Sequence, residues 1–438
     1  MKNEKYSVPV LTDPSDICNG LVGLKDIRTL FYRRPGPIAE IAIEQTFGEL
    51  SCKSCGSRAY VKDRPWVSYV DLPFGGTPTR LLWKKHRMVC RNDDCETKTW
   101  TMGDHRISAL GCFLTTRAAK WVTKQVGGGR SVNEVAMELG CDWKVVNATV
   151  ITYGEALLDA DRKRLKETTA LGLDEALFVR TGKYRTGHFY TTVADVSNNQ
   201  LIDILPTRNY VDVARWLSDT PHHFRDNIAY GALDLSPTYA AVYSVVLPNA
   251  TQVVDRFHLI RLSNQTLDNV RRRVQQQYFG HRGRKDDPLY RARKLLVIRS
   301  DRLDEQMSEK LEALLALGDE GAEVALAYRV KEAVCDFYEM DNYPSAQNYL
   351  AQIVDHIKKP SMPKELKRLG KTIERWFEKI MAYHLAKVTN GPTEGLNNLI
   401  KRVKRVGFGF TNFKNYRIRA LLYASKPNWR VLDSIVVT

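Results

Sequence analysis

The sequence predicts a multidomain α/β protein, and three observations support this prediction. The chain has 438 residues, which exceeds the size of one ordinary hydrophobic core and favours two to four domains. Strand-like and helix-like segments alternate between residues 170 and 255, whereas residues 259–389 have a helical pattern throughout. Two close cysteine pairs lie in the first hundred residues. We therefore expect a small metal-binding module ahead of a larger α/β domain that carries an all-α insertion.

The positive charge of the chain is concentrated in two segments. Lysine and arginine number 66 against 50 acidic residues, which gives a net charge of +16. Residues 261–300 carry 11 basic and 3 acidic side chains, and residues 392–430 carry 9 and 1. Segregated positive charge favours binding to the phosphate backbone of DNA, because each neutralised phosphate releases counterions. A solvated basic surface is the alternative interpretation.

The N-terminal segment, residues 1–45, carries little functional signal. It has no charged leader followed by an apolar stretch, and no run in the chain approaches the roughly 18 apolar residues of a membrane-spanning helix. These features predict a cytoplasmic protein. Within the segment, GLVGLKDIRTLFY predicts a short helix for packing or dimer contact.

Four of the eight cysteines form two close pairs, C-x-x-C and C-x-x-x-x-C. Cysteines of a cytoplasmic protein are expected to be thiols or metal ligands, and two close pairs can share one tetrahedral Zn²⁺. Gly56, directly after the first pair, permits the tight turn that points both sulfurs at one ion. We predict one structural zinc in a zinc-ribbon domain over residues 46–108, with buried free thiols as the alternative. The predicted ligands are Cys52, Cys55, Cys90 and Cys95, ahead of His86 and His105.

Residues 109–160 have the pattern of three helices separated by glycine-containing breaks. Ser131 and Glu134 have the spacing of a capping box that opens the second helix. Lys144 and Asn147, early in the third helix, are residue types that contact DNA bases or phosphates. We predict a helix-turn-helix DNA-binding domain, and an ordinary three-helix connector is the alternative. The predicted helices span residues 115–125, 132–139 and 143–158.

Residues 168–258 have the order of elements of an RNase H-like α/β domain, in which three successive strands are followed by two strands that alternate with helices. Asp174 lies within the first strand, and Asp234 ends the fourth, at the sheet edge where α/β proteins bind ligands. If these strands are neighbours, the two carboxylates converge and need cations to relieve their repulsion. The predicted strands span residues 170–179, 188–196, 200–206, 228–234 and 251–255, and the predicted helices span residues 211–217 and 237–246.

A third acidic residue, Glu394, begins a helix in TNGPTEGLNNLIKRVKR. At 100° per residue it lies opposite the apolar stripe and shares a face with Asn398, Lys401 and Arg405. Such a helix could bind metal in its first turn and DNA in later turns, although a first-turn glutamate can also simply complement the helix dipole. The long separation from Asp234 predicts an all-α insertion over residues 259–389, whose basic start would hold DNA ends and whose distal half could be purely architectural.

Five motifs of this chain closely resemble the ISL-three (ISL3) family of bacterial insertion-sequence transposases. They are CKSCG, LDEA, ALDLSPTYA, VVDRFH and EGLNNLIK, and the resemblance spans about residues 50–425. In that family a zinc ribbon, a helix-turn-helix and a DDE catalytic domain occur in this order. CKSCG departs from the family pattern, which usually has proline after the first cysteine; this leaves metal binding intact but the turn less preset.

The resemblance implies a DDE-type transposase that binds the terminal inverted repeats of an insertion sequence and cleaves and joins DNA. Its catalytic acids fall on Asp174, Asp234 and Glu394, which would hold two Mg²⁺ ions, with Mn²⁺ as a substitute, for in-line attack on phosphodiesters. VVDRFH resembles an auxiliary motif in which His258 contacts the scissile strand. The expected partners are double-stranded DNA of the element's ends and of the target, and further copies in a homodimer or higher oligomer. The expected location is the bacterial cytoplasm, in association with the nucleoid.

The residues predicted to contact DNA lie on the third helix, at the start of the insertion and in residues 390–438, the second part of the catalytic domain. They are Lys144, Asn147, Arg271, Arg272, Arg273, Asn398, Lys401, Arg402, Lys404, Arg405, Arg417 and Arg419.

Two other functions are compatible with the sequence. A catalytically silent, sequence-specific DNA-binding repressor derived from a transposase would share every predicted domain but would need no magnesium. A structure-selective RNase H-like nuclease would share the catalytic fold, but such enzymes generally lack two successive DNA-reading modules ahead of it.

Overall fold

The computed structural model describes residues 16, 19–20, 22–24 and 26–437. The chain divides into two compact units. Unit 1 comprises Met1–Arg164 and Ile400–Thr438, and unit 2 comprises Leu165–Leu399. Among the described residues, no helix has both the length and the apolar composition needed to cross a membrane.

The elements are numbered here in chain order over the described residues. The strands are β1 (Ile27–Arg33), β2 (Ala39–Gln45), β3 (Ala59–Asp63), β4 (Trp66–Phe74), β5 (Thr77–Lys84), β6 (Arg87–Cys90), β7 (Thr99–Thr101), β8 (Ala170–Thr181), β9 (Thr186–Asp195), β10 (Gln200–Leu205), β11 (Tyr230–Leu233) and β12 (Thr251–Val254). The helices are α1 (Thr116–Gly127), α2 (Val132–Leu139), α3 (Trp143–Ala160), α4 (Tyr210–Ser218), α5 (His222–Arg225), α6 (Pro237–Val246), α7 (Arg256–Phe279), α8 (Pro288–Ala292), α9 (Glu305–Gly318), α10 (Glu323–Glu339), α11 (Tyr343–Ile357), α12 (Lys364–Arg375), α13 (Phe377–Met381), α14 (Tyr383–Ala386), α15 (Gly391–Val406), α16 (Phe413–Ala424) and α17 (Trp429–Ser434). Two short 3₁₀ helices, Leu295–Val297 and Ser300–Arg302, follow α8.

Unit 1 begins with two small sheets. A four-stranded sheet has the order β1-β2-β5-β4, in which only β2 and β5 are parallel, and a three-stranded antiparallel sheet has the order β3-β6-β7. Burial alternates along β5, as expected for a strand with one face in the core. Its buried residues Leu81 and Trp83 pack with the isoleucines of β2.

This first sheet changes two expectations for the N-terminal segment. The helix expected in GLVGLKDIRTLFY is wrong over residues 27–32, which belong to β1 and pair with β2. The β-branched and aromatic side chains of this stretch favour a strand once a partner strand is available. In addition, Ala39 of β2 pairs with Thr79 of β5, so the boundary expected between residues 45 and 46 runs through a sheet.

Three helices follow the sheets in unit 1, in the positions that the sequence predicts. At the start of α2, the Ser131 side chain accepts a hydrogen bond from the Glu134 amide, and the Glu134 carboxylate accepts one from the Ser131 amide. This capping box satisfies amides that the helix itself leaves unpaired. Gly140 ends the helix with a φ of +60°, a left-handed conformation that glycine adopts without strain.

The C-terminal segment from Ile400 onward packs within unit 1, and the assignment of residues 390–438 to the catalytic domain stays a prediction. Buried Ile418 and Leu422 of α16 pack on α3, where a Cβ atom added to Gly154 would lie 2.8 Å from Ile418 Cγ2. Lys414 forms an ion pair of 2.8 Å with Glu155 of α3. The apolar face of α16 therefore finds its partner on the N-terminal helices.

Unit 2 is built on a five-stranded sheet with the order β10-β9-β8-β11-β12. The strands β8, β9 and β10 pair antiparallel, whereas β11 lies parallel to both β8 and β12. The strands and the two helices predicted from periodicity are confirmed, and their ends shift by at most two residues. The described residues from Pro288 to Ala386 form only helices and connecting segments, and these helices share one hydrophobic core with the sheet.

Candidate active site and metal centre

Parallel pairing of β8 and β11 brings two aspartates together at one end of the sheet. Leu173 lies opposite Leu233, so the next residue of each segment is an aspartate, Asp174 or Asp234. A carboxylate oxygen of each aspartate and a ring nitrogen of His258 lie within 4.8 Å of one another. The convergence expected from neighbouring strands is therefore present, and a histidine completes the cluster.

His258 is held by the carboxylate of Asp255, which follows β12 and is 2 % exposed. His258 Nδ1 lies 3.3 Å from Asp255 Oδ2. Burial lowers the pKa of His258, but contact with Asp255 and the negative charges of Asp234 and Asp174 outweigh burial and raise this pKa. Protonation of His258 in the metal-free protein thus offsets part of the carboxylate charge.

Burial raises the pKa values of the two clustered aspartates and so favours their protonated forms. It raises the pKa of Asp234 to about 6 and also raises the pKa of Asp174, while the charge of His258 opposes both shifts. Asp234 Oδ1 is buried and has no hydrogen-bond partner among the described residues. A buried carboxylate oxygen without a partner is costly unless a cation binds it. Hard carboxylate oxygens of this kind suit Mg²⁺.

Asn397 of α15 joins the site to the sheet. Its Nδ2 donates a hydrogen bond of 2.7 Å to Asp174 Oδ2, and its Oδ1 accepts one of 2.6 Å from Thr192 Oγ1 on β9. Asn397 is 4 % exposed, whereas its neighbour Asn398, which the sequence analysis named instead, is exposed. The spacing in the sequence could have identified Asn397 as a residue of the site, because it lies three residues after Glu394 and therefore on the same side of the helix.

The start of α15 lies against the backbone of β8. A Cβ atom added to Gly172 would lie 2.3 Å from Thr393 Oγ1 and 2.6 Å from Asn390 Oδ1. Glycine is therefore required at residue 172, because any side chain would push the helix away from the strand. The close approach also places the first turn of α15, which contains Glu394, beside the aspartate cluster.

Glu394 lies near the cluster of Asp174, Asp234 and His258 but outside the group whose atoms are within 4.8 Å. It is half-buried. Burial raises its pKa, and its charge interacts with those of His258, Asp255 and Asp174. These interactions are consistent with a position of Glu394 close to the aspartates.

The four cysteines of the two close pairs converge in unit 1. Cys52 Sγ lies 3.7 Å from Cys95 Sγ, Cys55 Sγ lies 3.6 Å from Cys90 Sγ, and all four sulfurs lie within 4.8 Å of one another. A tetrahedral zinc with Zn–S bonds of about 2.3 Å has sulfur–sulfur edges of about 3.8 Å. Gly56 has a φ of +73°, as expected for the tight turn after the first pair. The donor set therefore fits one Zn²⁺.

The arginine run at the start of the insertion does not form a common DNA-binding face. Arg271 is 3 % exposed, and its guanidinium donates to Asp268 and Gln275. The prediction that Arg271 contacts DNA is wrong, because its donors are used inside the protein. Arg273 is half-buried between Glu323 and Glu365. Three consecutive residues of a helix point 100° apart, so they cannot all face one ligand.

The other residues predicted to contact DNA differ in accessibility. Arg419 is 7 % exposed and borders a cavity that opens to solvent, so only a group that enters this cavity could contact it. Arg272 is exposed but pairs with Asp268 at 2.8 Å. The remaining exposed residues of the set are Lys144, Asn398, Lys401, Arg402 and Arg405, and the half-buried ones are Asn147, Lys404 and Arg417.

Comparison with known proteins identifies the class of this chain. Residues 171–420 match the ISL3 family model described as a transposase, and residues 49–95 match the model for the zinc finger of the transposases of IS204, IS1001, IS1096 and IS1165. The protein is a DNA transposase, an enzyme class that cleaves or joins DNA. Because the transposase model covers more than half of the chain, the chain belongs to the ISL3 transposase family, and its N-terminal cysteine cluster is of the zinc-ribbon type.

One curated relative and one solved structure were found among the proteins similar to this chain. The transposase for insertion sequence element IS1001 of Bordetella parapertussis is 24 % identical over 406 residues, which cover 88 % of this chain and 92 % of that protein. The solved Drosophila P element transposase strand transfer complex aligns with a TM-score of 0.40 and 10 % identity, over 72 % of this chain and 93 % of that chain.

Replacement of one clustered cysteine should remove the metal. We expect Cys52→Ser to lower the zinc content of the purified protein from about one ion per chain to a small fraction, because three thiolates bind zinc far more weakly than four. Cys141→Ser is the matched control, since Cys141 lies outside the cluster, and it should keep the full zinc content. Elemental analysis measures the zinc content per chain of both variants. An unchanged zinc content in Cys52→Ser would reject this ligand set.

Adjacent asparagines allow a matched test of the bridge between β8, β9 and α15. Asn397→Ala should lower the free energy of unfolding by about 1–3 kcal/mol, because it leaves the buried polar groups of Asp174 and Thr192 without their partner. Asn398→Ala, on the exposed side of the same helix, should change it by less than about 0.5 kcal/mol. Urea unfolding of both variants measures the difference, and equal values for the two would contradict the bridge.

The buried carboxylate of Asp234 should destabilise the metal-free protein. Its folded-state pKa of about 6 exceeds the ordinary value of 3.8, so folding stability falls as the pH rises between these values and the full cost is present above about pH 6. Asp234→Asn should therefore raise the free energy of unfolding near pH 7.5, by at most about 3 kcal/mol, and the gain should vanish near pH 4.

Urea unfolding in chelator-containing buffer at the two pH values measures this effect. Asp341→Asn, at an exposed position, is the control and should change stability little at either pH. A loss of stability at pH 7.5 in Asp234→Asn would show that the carboxylate is not strained in the metal-free state.

Proposed function

We propose that Asp174, Asp234 and Glu394 are the metal-binding acids of a DDE-type catalytic centre with which this transposase cleaves and joins DNA in the presence of Mg²⁺. The observation that carries the proposal is the convergence of Asp174, within β8, and Asp234, directly after the parallel neighbour β11, beside His258. Two half-buried carboxylates whose oxygens lie within 4.8 Å of each other repel unless cations bind them.

An RNase H-like fold for residues 168–258 is supported by the sheet of unit 2. Three antiparallel strands are followed by two parallel strands, and the first strand occupies the centre of the order β10-β9-β8-β11-β12. The central strand carries one acid and its parallel neighbour ends at the second. Residues 259–389 are then an all-α insertion, after which α15 returns to the sheet.

The position of Glu394 supports its role as the third acid. It precedes Asn397 by three residues on α15, and Asn397 donates directly to Asp174. Residues three apart are neighbours on a helix surface, so both side chains can face the aspartates. The raised pKa of Glu394 is consistent with a carboxylate in this negative environment.

In this centre, Mg²⁺ would polarise the phosphodiester and activate the attacking hydroxyl. The chain's own residues supply the geometry. Asn397 fixes the Asp174 carboxylate, and Asp255 holds Nδ1 of His258, so that the other ring nitrogen of His258 is available to the DNA strand that is cut. Two ions are expected, since in-line attack benefits from a cation at both the entering and the leaving oxygen, and Mn²⁺ would serve as a substitute.

DNA recognition is assigned to unit 1. The order α1-α2-α3 and the exposed Lys144 at the start of α3 support a helix-turn-helix over residues 109–160, and the cysteine cluster supports a zinc-bound ribbon within residues 46–108. Exposed Arg402 and Arg405 add positive charge for phosphates. We assign the terminal inverted repeats of the insertion sequence as the ligand, and two such ends favour a transposase dimer or higher oligomer.

A cleavage assay with a matched pair of variants tests the catalytic assignment. The full-length protein is incubated with Mg²⁺ and paired duplexes that carry the ends of its element. Asp174→Ala should lose cleavage and joining by on the order of 1,000-fold, because a metal site contributes several kcal/mol to transition-state stabilisation, while it still binds the duplex. Asp341→Ala removes an exposed aspartate of unit 2 and should retain activity.

Two outcomes would contradict the proposal. Cleavage by Asp174→Ala at the wild-type rate would exclude this residue as a catalytic ligand. Binding of paired ends by the wild-type protein without any cleavage, in Mg²⁺ or Mn²⁺, would instead favour the silent DNA-binding repressor.

A further inference from the structure

A cavity of about 320 Å³ in unit 1 lies outside the catalytic centre and the zinc cluster. Its walls come from the first turns of α2 and α3, the loop of residues 407–412, and α16. Polar side chains on these walls include Ser131, Asn147 and Asn415. Among the described residues that line the cavity, Arg419 carries the only ionisable side chain.

Arg419 is a buried cation without a compensating acid. Its side chain is 7 % exposed, and its Nε has no hydrogen-bond partner among the described residues. The guanidinium lies over the ring of Phe410, with 4.9 Å between its central carbon and the ring centroid. Burial lowers its pKa to about 10, which still leaves the group charged near neutral pH. A buried charge without a partner is strongly unfavourable, so an external anion is the natural ligand.

Helix geometry adds to the positive potential of the cavity. Asn412 caps α16, a helix of twelve residues whose first turn contains no acidic residue, and Asn412 lines the cavity. The N-terminus of a helix carries about half a positive charge and exposes amides that bind anions. The first turn of α2 also lines the cavity, and the Glu134 carboxylate in this turn accepts a hydrogen bond from the Ser131 amide.

The surroundings of the cavity favour a nucleic-acid phosphate over other anions. Phe408, in the loop, is 99 % exposed and Trp143, at the start of α3, is 52 % exposed, and both line the cavity. Exposed aromatic rings beside a cationic site are suited to bases or sugars. Arg402 and Arg405 of the neighbouring helix are exposed as well and would contact adjacent phosphates.

We propose that this cavity binds one backbone phosphate of DNA through the guanidinium of Arg419 and the first turn of α16. The proposal rests on the DNA-binding function of the transposase and adds a defined phosphate pocket to it. The planar guanidinium can donate two parallel hydrogen bonds to phosphate. Because the DNA supplies the missing counter-charge, Arg419 would cost stability in the free protein and contribute affinity in the complex.

Two measurements on full-length, zinc-loaded protein test the pocket in Mg²⁺-free buffer. The first is the thermal unfolding midpoint in sodium phosphate and in sodium chloride of equal ionic strength. The second is the salt dependence of binding to a duplex of about 40 base pairs, followed by fluorescence anisotropy. The variants are Arg419→Met and, as the matched control, Arg430→Met, which removes an exposed arginine of α17.

Phosphate should raise the unfolding midpoint of the wild-type protein and of Arg430→Met but leave that of Arg419→Met unchanged. In the absence of phosphate, Arg419→Met should unfold at the wild-type temperature or above it. Its DNA affinity should fall by about 10- to 100-fold, and the slope of log K against log salt should decrease by about 0.9. If Arg419→Met does not fold, Arg419→Lys replaces it and should show weaker phosphate stabilisation, because lysine lacks the planar fork.

Three results would overturn the proposal. If Arg419→Met lowers the thermal unfolding midpoint and leaves the salt dependence of DNA binding unchanged, Arg419 has a structural role. Phosphate stabilisation that depends on Arg419 without any change in DNA binding would identify a site for a free anion rather than for DNA. Absence of phosphate stabilisation in the wild-type protein would exclude an anion site. Since the buffer contains no Mg²⁺ and no cleavage is measured, these outcomes are independent of the catalytic assignment.

Discussion

The constraint on which the rest of unit 2 depends is the repulsion between two carboxylates held side by side. Parallel pairing of neighbouring strands forces Asp174 and Asp234 together, and burial raises the pKa of both. Within the described part of the chain, the charge that opposes these shifts comes from His258. The fold thus stores unfavourable electrostatic energy at this site, which cations can relieve. A site that is strained when empty and stabilised when loaded is typical of catalytic centres.

The site is held in place by contacts between residues that are far apart in the chain. Asn397 hydrogen-bonds to residues 223 and 205 positions before it, Asp174 and Thr192. Gly172 lets the start of α15 approach the strand closely enough for these bonds to form. The helices between residues 256 and 386 must therefore fold so that α15 returns to the sheet. Completion of the acidic site is coupled in this way to the packing of the whole unit.

Unit 1 contains an uncompensated positive charge, whereas the aspartate site of unit 2 carries excess negative charge. The buried guanidinium of Arg419 borders a cavity without an acidic wall, whereas the buried Arg271 of unit 2 is fully engaged with Asp268 and Gln275. This contrast is the basis on which we propose a ligand for Arg419 and none for Arg271, since perturbed buried charges cluster at functional sites. Under the two proposals, uncompensated charge marks a ligand site in each unit, with carboxylates for metal ions in unit 2 and a guanidinium for phosphate in unit 1.

The sequence by itself determined the five strands of the unit 2 sheet, the three helices between residues 116 and 160, the two cysteine pairs and the three acidic candidates, because periodicity, capping residues and ligand spacing are local. It also located Glu394 on a helix with a basic face. It did not distinguish Asn397 from Asn398, or Arg419 from the exposed arginines around it, since burial depends on which helix face meets a distant partner. Only the tertiary structure decided that the chain beyond residue 399 packs on the N-terminal helices, because that contact requires an apolar helix face to meet a glycine-lined surface from the other end of the chain.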